Sequence, residues 1–114
     1  MYNRKVIGIR IRNLRLKKGW NQDDLAQAAG ISTKYLGELE RAVKSGTLEN
    51  LETIAAALDT TLSELLAYSE QLGQIEQSHT LIEIVDMLSK RTVDEQKSVS
   101  DIIEIVLKTF DQKK

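Results

Sequence analysis

The chain contains no cysteine and no proline, one histidine, and only one Trp, one Phe and three Tyr among 114 residues. Without cysteine, neither a disulfide framework nor a cysteine-ligated zinc site can form, and a reducing compartment is compatible. With so few aromatics, the core must be built from Leu, Ile, Val and Ala, which suits an all-helical protein that no proline interrupts. No apolar run approaches the roughly 20 residues that a bilayer-spanning helix needs. The N-terminal segment, with Arg4, Lys5 and alternating Arg, lacks the apolar stretch of a secretion signal, so a cytoplasmic protein without membrane contact is the expectation. The one histidine, His79, stands in a polar stretch where a solvated or capping role is the ordinary one. No Ser-His-Asp set, Gly-rich phosphate loop or metal-ligand spacing is present, so neither an enzyme nor a cofactor or metal is expected. The acid pairs Asp23-Asp24 and Asp94-Glu95 fall in predicted first turns, where negative charge favours the helix dipole.

Charge is nearly balanced over the chain, at -1, but unevenly distributed. Residues 1–68 carry ten Lys/Arg against eight Asp/Glu, or +2, and residues 69–114 carry six against nine, or -3. Arg4, Lys5, Arg10, Arg12, Arg15, Lys17 and Lys18 all precede the first acid. A nucleic-acid partner requires a local basic surface rather than a high overall pI. Each of these residues is read equally well as a phosphate contact or as part of a solvated helix face.

The most informative stretch runs from residue 21 to residue 41. Asn21 is placed to cap a helix carrying Leu25, Ala26 and Ala29 at helical spacing, and Gly30 supplies the left-handed residue that ends it. Ser32 restarts the chain as the cap of a second helix with Tyr35, Leu36 and Leu39 on its apolar face. Two helices joined this tightly cross steeply and leave the second protruding, where its polar face can enter a DNA groove. Around them, a first helix near 4–18 places Val6 or Ile7, Ile11 and Leu14 on one side. A fourth near 48–58 presents Leu48, Leu51, Ile54, Ala55 and Leu58 to the core. Thr61 with Glu64 opens a fifth bearing Leu62, Leu65 and Leu66.

In residues 7–66 the chain resembles the lambda repressor and Cro-like helix-turn-helix proteins, the XRE family. The matching residues are Ile11 and Leu14 with Arg15, Gly19-Trp20-Asn21-Gln22, Leu25-Ala26, Gly30-Ile31-Ser32, Leu36 with Leu39-Glu40-Arg41, then Leu48, Leu51, Ile54, Ala55 and Leu58. The resemblance implies a five-helix DNA-binding domain and assigns its parts. Gln22 would bond a phosphate and brace the recognition helix. Ser32, Thr33, Lys34, Tyr35, Gly37 and Glu38 would form the DNA-facing surface, with Lys34 suited to guanine and Glu38 to cytosine. Arg41 and Lys44 would contact phosphates, while Arg15 and Glu40 would form a structural ion pair. Trp20 is expected in or beside the core. Where the family commonly has Gly after Glu40-Arg41 and Pro a few residues on, this chain has Ala42 and Gly46. Because Ala avoids the left-handed conformation, a different turn or a longer recognition helix is expected there. Gly37, inside that helix, is read either as relief of a clash with a neighbouring helix or as close approach to DNA.

The predicted organisation is a DNA-binding domain over residues 1–68, a linker over 69–79, and a C-terminal helical hairpin over 80–114. The hairpin's first helix carries Leu81, Ile84, Val85 and Leu88. Its second, opened by Thr92 with Glu95, carries Val99, Ile102, Ile103, Val106, Leu107 and Phe110. Ile82, Met87 and Ile105 widen the apolar face. Two helices cannot close a core alone, so Leu81, Ile84, Val85, Leu88, Val99, Ile102, Ile103, Val106 and Phe110 are assigned to a dimer interface. The expected function is sequence-specific binding of double-stranded DNA by a homodimer, a repressor on an inverted-repeat operator. The alternative is an antitoxin-like or phase-regulator-like module whose hairpin binds a different protein, an antagonist or toxin.

Overall fold

Side-chain caps set most of the helix starts. The computed structural model describes residues 2–74 and 79–113; residues 75–78, part of the predicted linker, and the two terminal residues lie outside the described residues. Eight helices and no strand occupy the described residues: α1 (Arg4–Lys17), α2 (Gln22–Ala29), α3 (Thr33–Glu40), α4 (Leu48–Ala57), α5 (Leu62–Leu66), α6 (Ser69–Leu72), α7 (His79–Ser89) and α8 (Val93–Gln112). Asn3 caps α1, accepting from the amides of Lys5 and Val6, and Thr47 caps α4. Asn21 and Asp24 form a reciprocal capping box at α2, and Gly30, at φ 71°, closes that helix. Ser32 accepts from the Tyr35 amide to open α3, and Thr61 accepts from the Glu64 amide to open α5. Each cap satisfies a donor that the first turn leaves without an intrahelical partner. None of the described helices is long and apolar enough to cross a membrane.

The chain divides into two compact units, residues 1–83 and residues 84–114, with α7 running across the boundary. In the first unit, Ile7, Ile11, Leu25, Ala26, Ala29, Leu36, Leu39, Leu51, Ile54, Ala55, Leu58 and Leu65 make one buried core. Trp20, Leu14, Ile31, Tyr35, Leu62 and Leu66 pack partly buried against it. α1 is the centre of the unit: residues 6–11 are all buried, because α3, α5 and α6 pack against it.

Four expectations are corrected here. Leu48, assigned to the core, is 57 % exposed, since the core face of α4 begins one turn later at Leu51. Ile82, assigned to the open hairpin face, is buried in the first unit. Arg10, read as a phosphate contact or solvated residue, is buried, and its Nη1 donates to the Leu65 carbonyl at the end of α5 (2.9 Å). Ala42, expected to avoid the left-handed region, occupies it at φ 60°, and α3 ends at Glu40 rather than running on. Packing also continues past residue 68: in α6, Ser69 and Leu72 are buried, and the Ser69 hydroxyl accepts from the Asn3 amide.

The second unit is open. The Thr92–Glu95 capping box starts α8, and Gln96 Nε2 donates to the Leu88 carbonyl (2.7 Å), tying the short turn over residues 90–92. The Arg91 guanidinium beside Glu95 holds that exposed carboxyl below its ordinary range. No residue of α8 is buried, although Ile102, Ile103, Val106, Leu107 and Phe110 recur along one helical stripe.

Two glycine-related positions give opposite expectations. A Cβ on Gly8 would lie 2.6 Å from the Leu39 carbonyl oxygen and 2.7 Å from that of Glu40, backbone atoms that cannot swing aside. Gly8→Ala should therefore lower stability by roughly 1–3 kcal/mol. Ala42→Gly should raise it by about 0.5–1 kcal/mol, the left-handed strain relieved less the extra chain freedom of glycine. Urea unfolding followed by circular dichroism checks both, and a more stable Gly8→Ala protein would contradict the close α1–α3 crossing.

Candidate nucleic-acid interface

The interface is built on α2 and α3, joined by residues 30–32. On α3, Leu36 and Leu39 point into the core, which leaves the positions 33, 34, 37, 38 and 41 on the outward stripe. Ser32, Thr33 and Lys34 are exposed at the helix start. The Thr33 hydroxyl donates to Asp23 Oδ1 (2.6 Å), fastening the start of α3 to the start of α2. Tyr35 is half-buried, and its hydroxyl accepts from Asn50 Nδ2 (3.2 Å), so it braces α3 against α4. Asp23, read from the sequence only as a first-turn acid, and Asn50, not singled out, both act here; nothing in their local spacing indicates partners 10 and 15 residues away.

Further along the stripe the surface closes. Gly37 is buried, and a Cβ there would meet Arg41 Nη1 at 2.9 Å and Gln22 Oε1 at 3.6 Å. The tight neighbour is the end of the flexible Arg41 side chain, while Gln22 on the neighbouring α2 lies at ordinary contact distance. Glu38, whose side chain is 14 % exposed, pairs with Lys44 at 3.5 Å, so its carboxylate is partly engaged within the chain. Arg41 and Lys44 are exposed at the helix end and in the following loop.

Beneath this surface lies a buried ion pair. Arg15 Nε donates to Glu40 Oε2 (2.8 Å) and Nη2 to Oε1 (3.0 Å), with side-chain exposures of 8 % and 3 %. Arg15 Nη1 donates to the Trp20 carbonyl (2.8 Å), and Gln22 Nε2 to Glu40 Oε1 (3.3 Å). Such a two-bond guanidinium–carboxylate contact fixes orientation as well as distance. The aromatic ring of Trp20 packs beside the core with the Lys18 ammonium 4.8 Å from its centroid, and Lys18 also pairs with Asp59.

A short helix pair with a closed hydrophobic base, an exposed polar start to its second helix and basic side chains at its end defines a helix-turn-helix DNA-binding module. A helix-turn-helix family model matches residues 11–65. The chain is 36 % identical over 62 residues to the HTH-type transcriptional regulator SinR of Bacillus subtilis, covering 54 % of this chain and 56 % of SinR. It is 32 % identical over 68 residues to an HTH-type transcriptional regulator, y4dJ, of Sinorhizobium fredii, covering 60 % of this chain and 88 % of that one. The solved complex of SinR with SinI aligns at TM-score 0.54 and 25 % identity, over 90 % of this chain and 98 % of the matched one. The chain belongs to the XRE-type helix-turn-helix family of DNA-binding transcriptional regulators, which are not enzymes. It spans about half the length of several curated relatives that it matches.

The geometry separates residues that hold the fold from residues that face outward. Glu40→Ala would strand a buried guanidinium and should cost about 3 kcal/mol, lowering the melting temperature. Arg41→Ala should leave melting unchanged while reducing the salt slope of DNA binding by about one. Thermal melts and DNA titrations over a range of salt test the contrast, and equal melting of Glu40→Ala and the parent would remove the pair from its structural role.

Proposed function

We propose that the chain binds double-stranded DNA sequence-specifically as a homodimer and represses transcription from an inverted-repeat operator in the cytoplasm. The observation that carries the DNA reading is the exposed first turn of α3, where Ser32, Thr33 and Lys34 stand clear of the core on a helix held by Glu40 and Tyr35. In this reading Lys34 donates to guanine O6 and N7, and Gln22, Arg41 and Lys44 contact phosphates. Glu38 is the weaker base reader, because its carboxylate is shared with Lys44. Lys34→Ala should relax preference at one base pair and cost roughly 1–3 kcal/mol on the cognate site. Selection of bound sites from random DNA reads this directly, and an unchanged site preference would remove Lys34 from base reading.

Assembly rests on the second unit. α8 leaves Ile102, Val106 and Phe110 exposed at 60 %, 43 % and 57 %, an apolar stripe that water disfavours and a second copy can cover. On α7, Leu81 and Ile84 are exposed as well, with Val85, Leu88 and, on α8, Val99 half-covered. Pairing these faces would carry two recognition helices to half-sites about one DNA turn apart, roughly 34 Å. The second reading, a different protein on this face, is supported by the SinR–SinI complex, whose alignment extends over 90 % of the chain. Sedimentation at micromolar concentration should find a dimer that Ile103→Asp converts to monomer with weakened operator binding. A dimer that persists in Ile103→Asp would shift support to the other-protein reading.

A further inference from the structure

The first unit holds a cleft of about 520 Å³ that the helix-turn-helix reading does not use in full. It is lined on α1 by Lys5, Ile9 and Arg12, which recur at helical spacing, at the end of α3 by Arg41 and Ala42, and at the start of α7 by His79. The Arg15–Glu40 pair and Gln22 form its floor. Among the described residues Glu40 is the one acid in the lining, and Arg15 already neutralises it. Lys5, Arg12 and Arg41 have no carboxylate within ion-pair distance among the described residues, so three cations face one concavity without compensation. Their mutual repulsion favours an anion there.

The contact between Arg12 and His79 sharpens the chemistry. Arg12 Nη1 lies 3.3 Å from His79 Nδ1. A guanidinium can only donate, so Nδ1 is the acceptor in this contact, and Nε2 is the ring nitrogen left to meet a ligand. The cleft thus combines two guanidinium groups, an ammonium and an imidazole with the apolar side chains of Ile9 and Ala42. Its volume lies within the ordinary range for small-ligand sites and exceeds what a bare phosphate needs.

We propose that this cleft is a phosphate site that takes a sugar–phosphate unit, held by Lys5, Arg12 and Arg41. The unit is either a nucleotide of a DNA strand flanking the recognition helix or a free nucleotide. The DNA source rests on the DNA-binding reading above; the free source does not. The test uses the full chain and the variant carrying both Lys5→Gln and Arg12→Gln, two exposed positions where folding is checked by melting. Thymidine 5′-monophosphate and inorganic phosphate are titrated while the NMR signals of the Arg and His79 side chains are followed. DNA affinity is measured in parallel against salt. Saturable shifts at Arg12, Arg41 and His79, weakened about tenfold or more in the double variant, support the site. A salt slope that falls by about two in the variant assigns the phosphate to DNA. An unchanged slope beside retained mononucleotide binding assigns it to a free nucleotide. No shift with either probe, together with an unchanged slope, overturns the proposal. Failure of the parent to bind any DNA would refute the DNA-binding reading, while the mononucleotide titration would still decide the cleft.

Discussion

Everything at the recognition surface depends on the buried contact between Arg15 and Glu40. Its guanidinium reaches the last residue of α3 and the carbonyl of Trp20 at once, and its carboxylate also receives Gln22 from the first turn of α2. One pair therefore fixes α1, the turn after it, α2 and α3 relative to each other. Charges removed from water are tolerable only when every strong donor and acceptor is met, so the arrangement contributes orientation more than net stability. It also requires that the backbones lie close. Gly8, with no Cβ to collide with the carbonyls of Leu39 and Glu40, is what lets α1 cross the end of α3 at that distance.

The same packing sorts the run of basic residues that precedes the first acid. Arg10 turns inward to the end of α5, Arg15 enters the ion pair, and Lys18 is held by Asp59 over the ring of Trp20. Lys5 and Arg12 remain on the exposed side of α1 beside Arg41. A chain with net charge -1 can in this way present a local positive surface, because Arg10 and Arg15 are spent inside and Lys18 is paired, while Lys5 and Arg12 line one cleft with Arg41.

The two units solve the burial of apolar surface differently. The first closes a core from short helices, using α6 from beyond the helix-turn-helix to cover α1 and burying Ile82 as well. The second has one long helix with no buried residue, and its apolar stripe is left exposed in the single chain. The alignment with the SinR–SinI complex covers 90 % of the chain and so extends over both.

Signals confined to a few residues were readable without coordinates. Asn21, Ser32, Thr61 and Thr92 mark helix starts because a short polar side chain meets an amide two or three residues on. Gly30 marks a helix end because only a left-handed residue closes it cheaply. The apolar stripes follow from the same local period, and the family resemblance supplied the Arg15–Glu40 partnership that no local pattern contains. The positions that eluded the sequence depend on what arrives from elsewhere. Leu48 repeats the stripe of α4 yet stays more than half exposed, whereas Ile82 lies off its stripe yet is covered. Arg10 finds a carbonyl 55 residues away, and Ala42 accepts a left-handed backbone because the ends of α3 and the following loop are held by Glu40 and the Glu38 carbonyl. The sequence by itself determined where helices begin, end and turn an apolar side, since those interactions span four residues or fewer. The tertiary structure alone decided which sides were covered and which charges were spent, since burial is a property of the elements that meet.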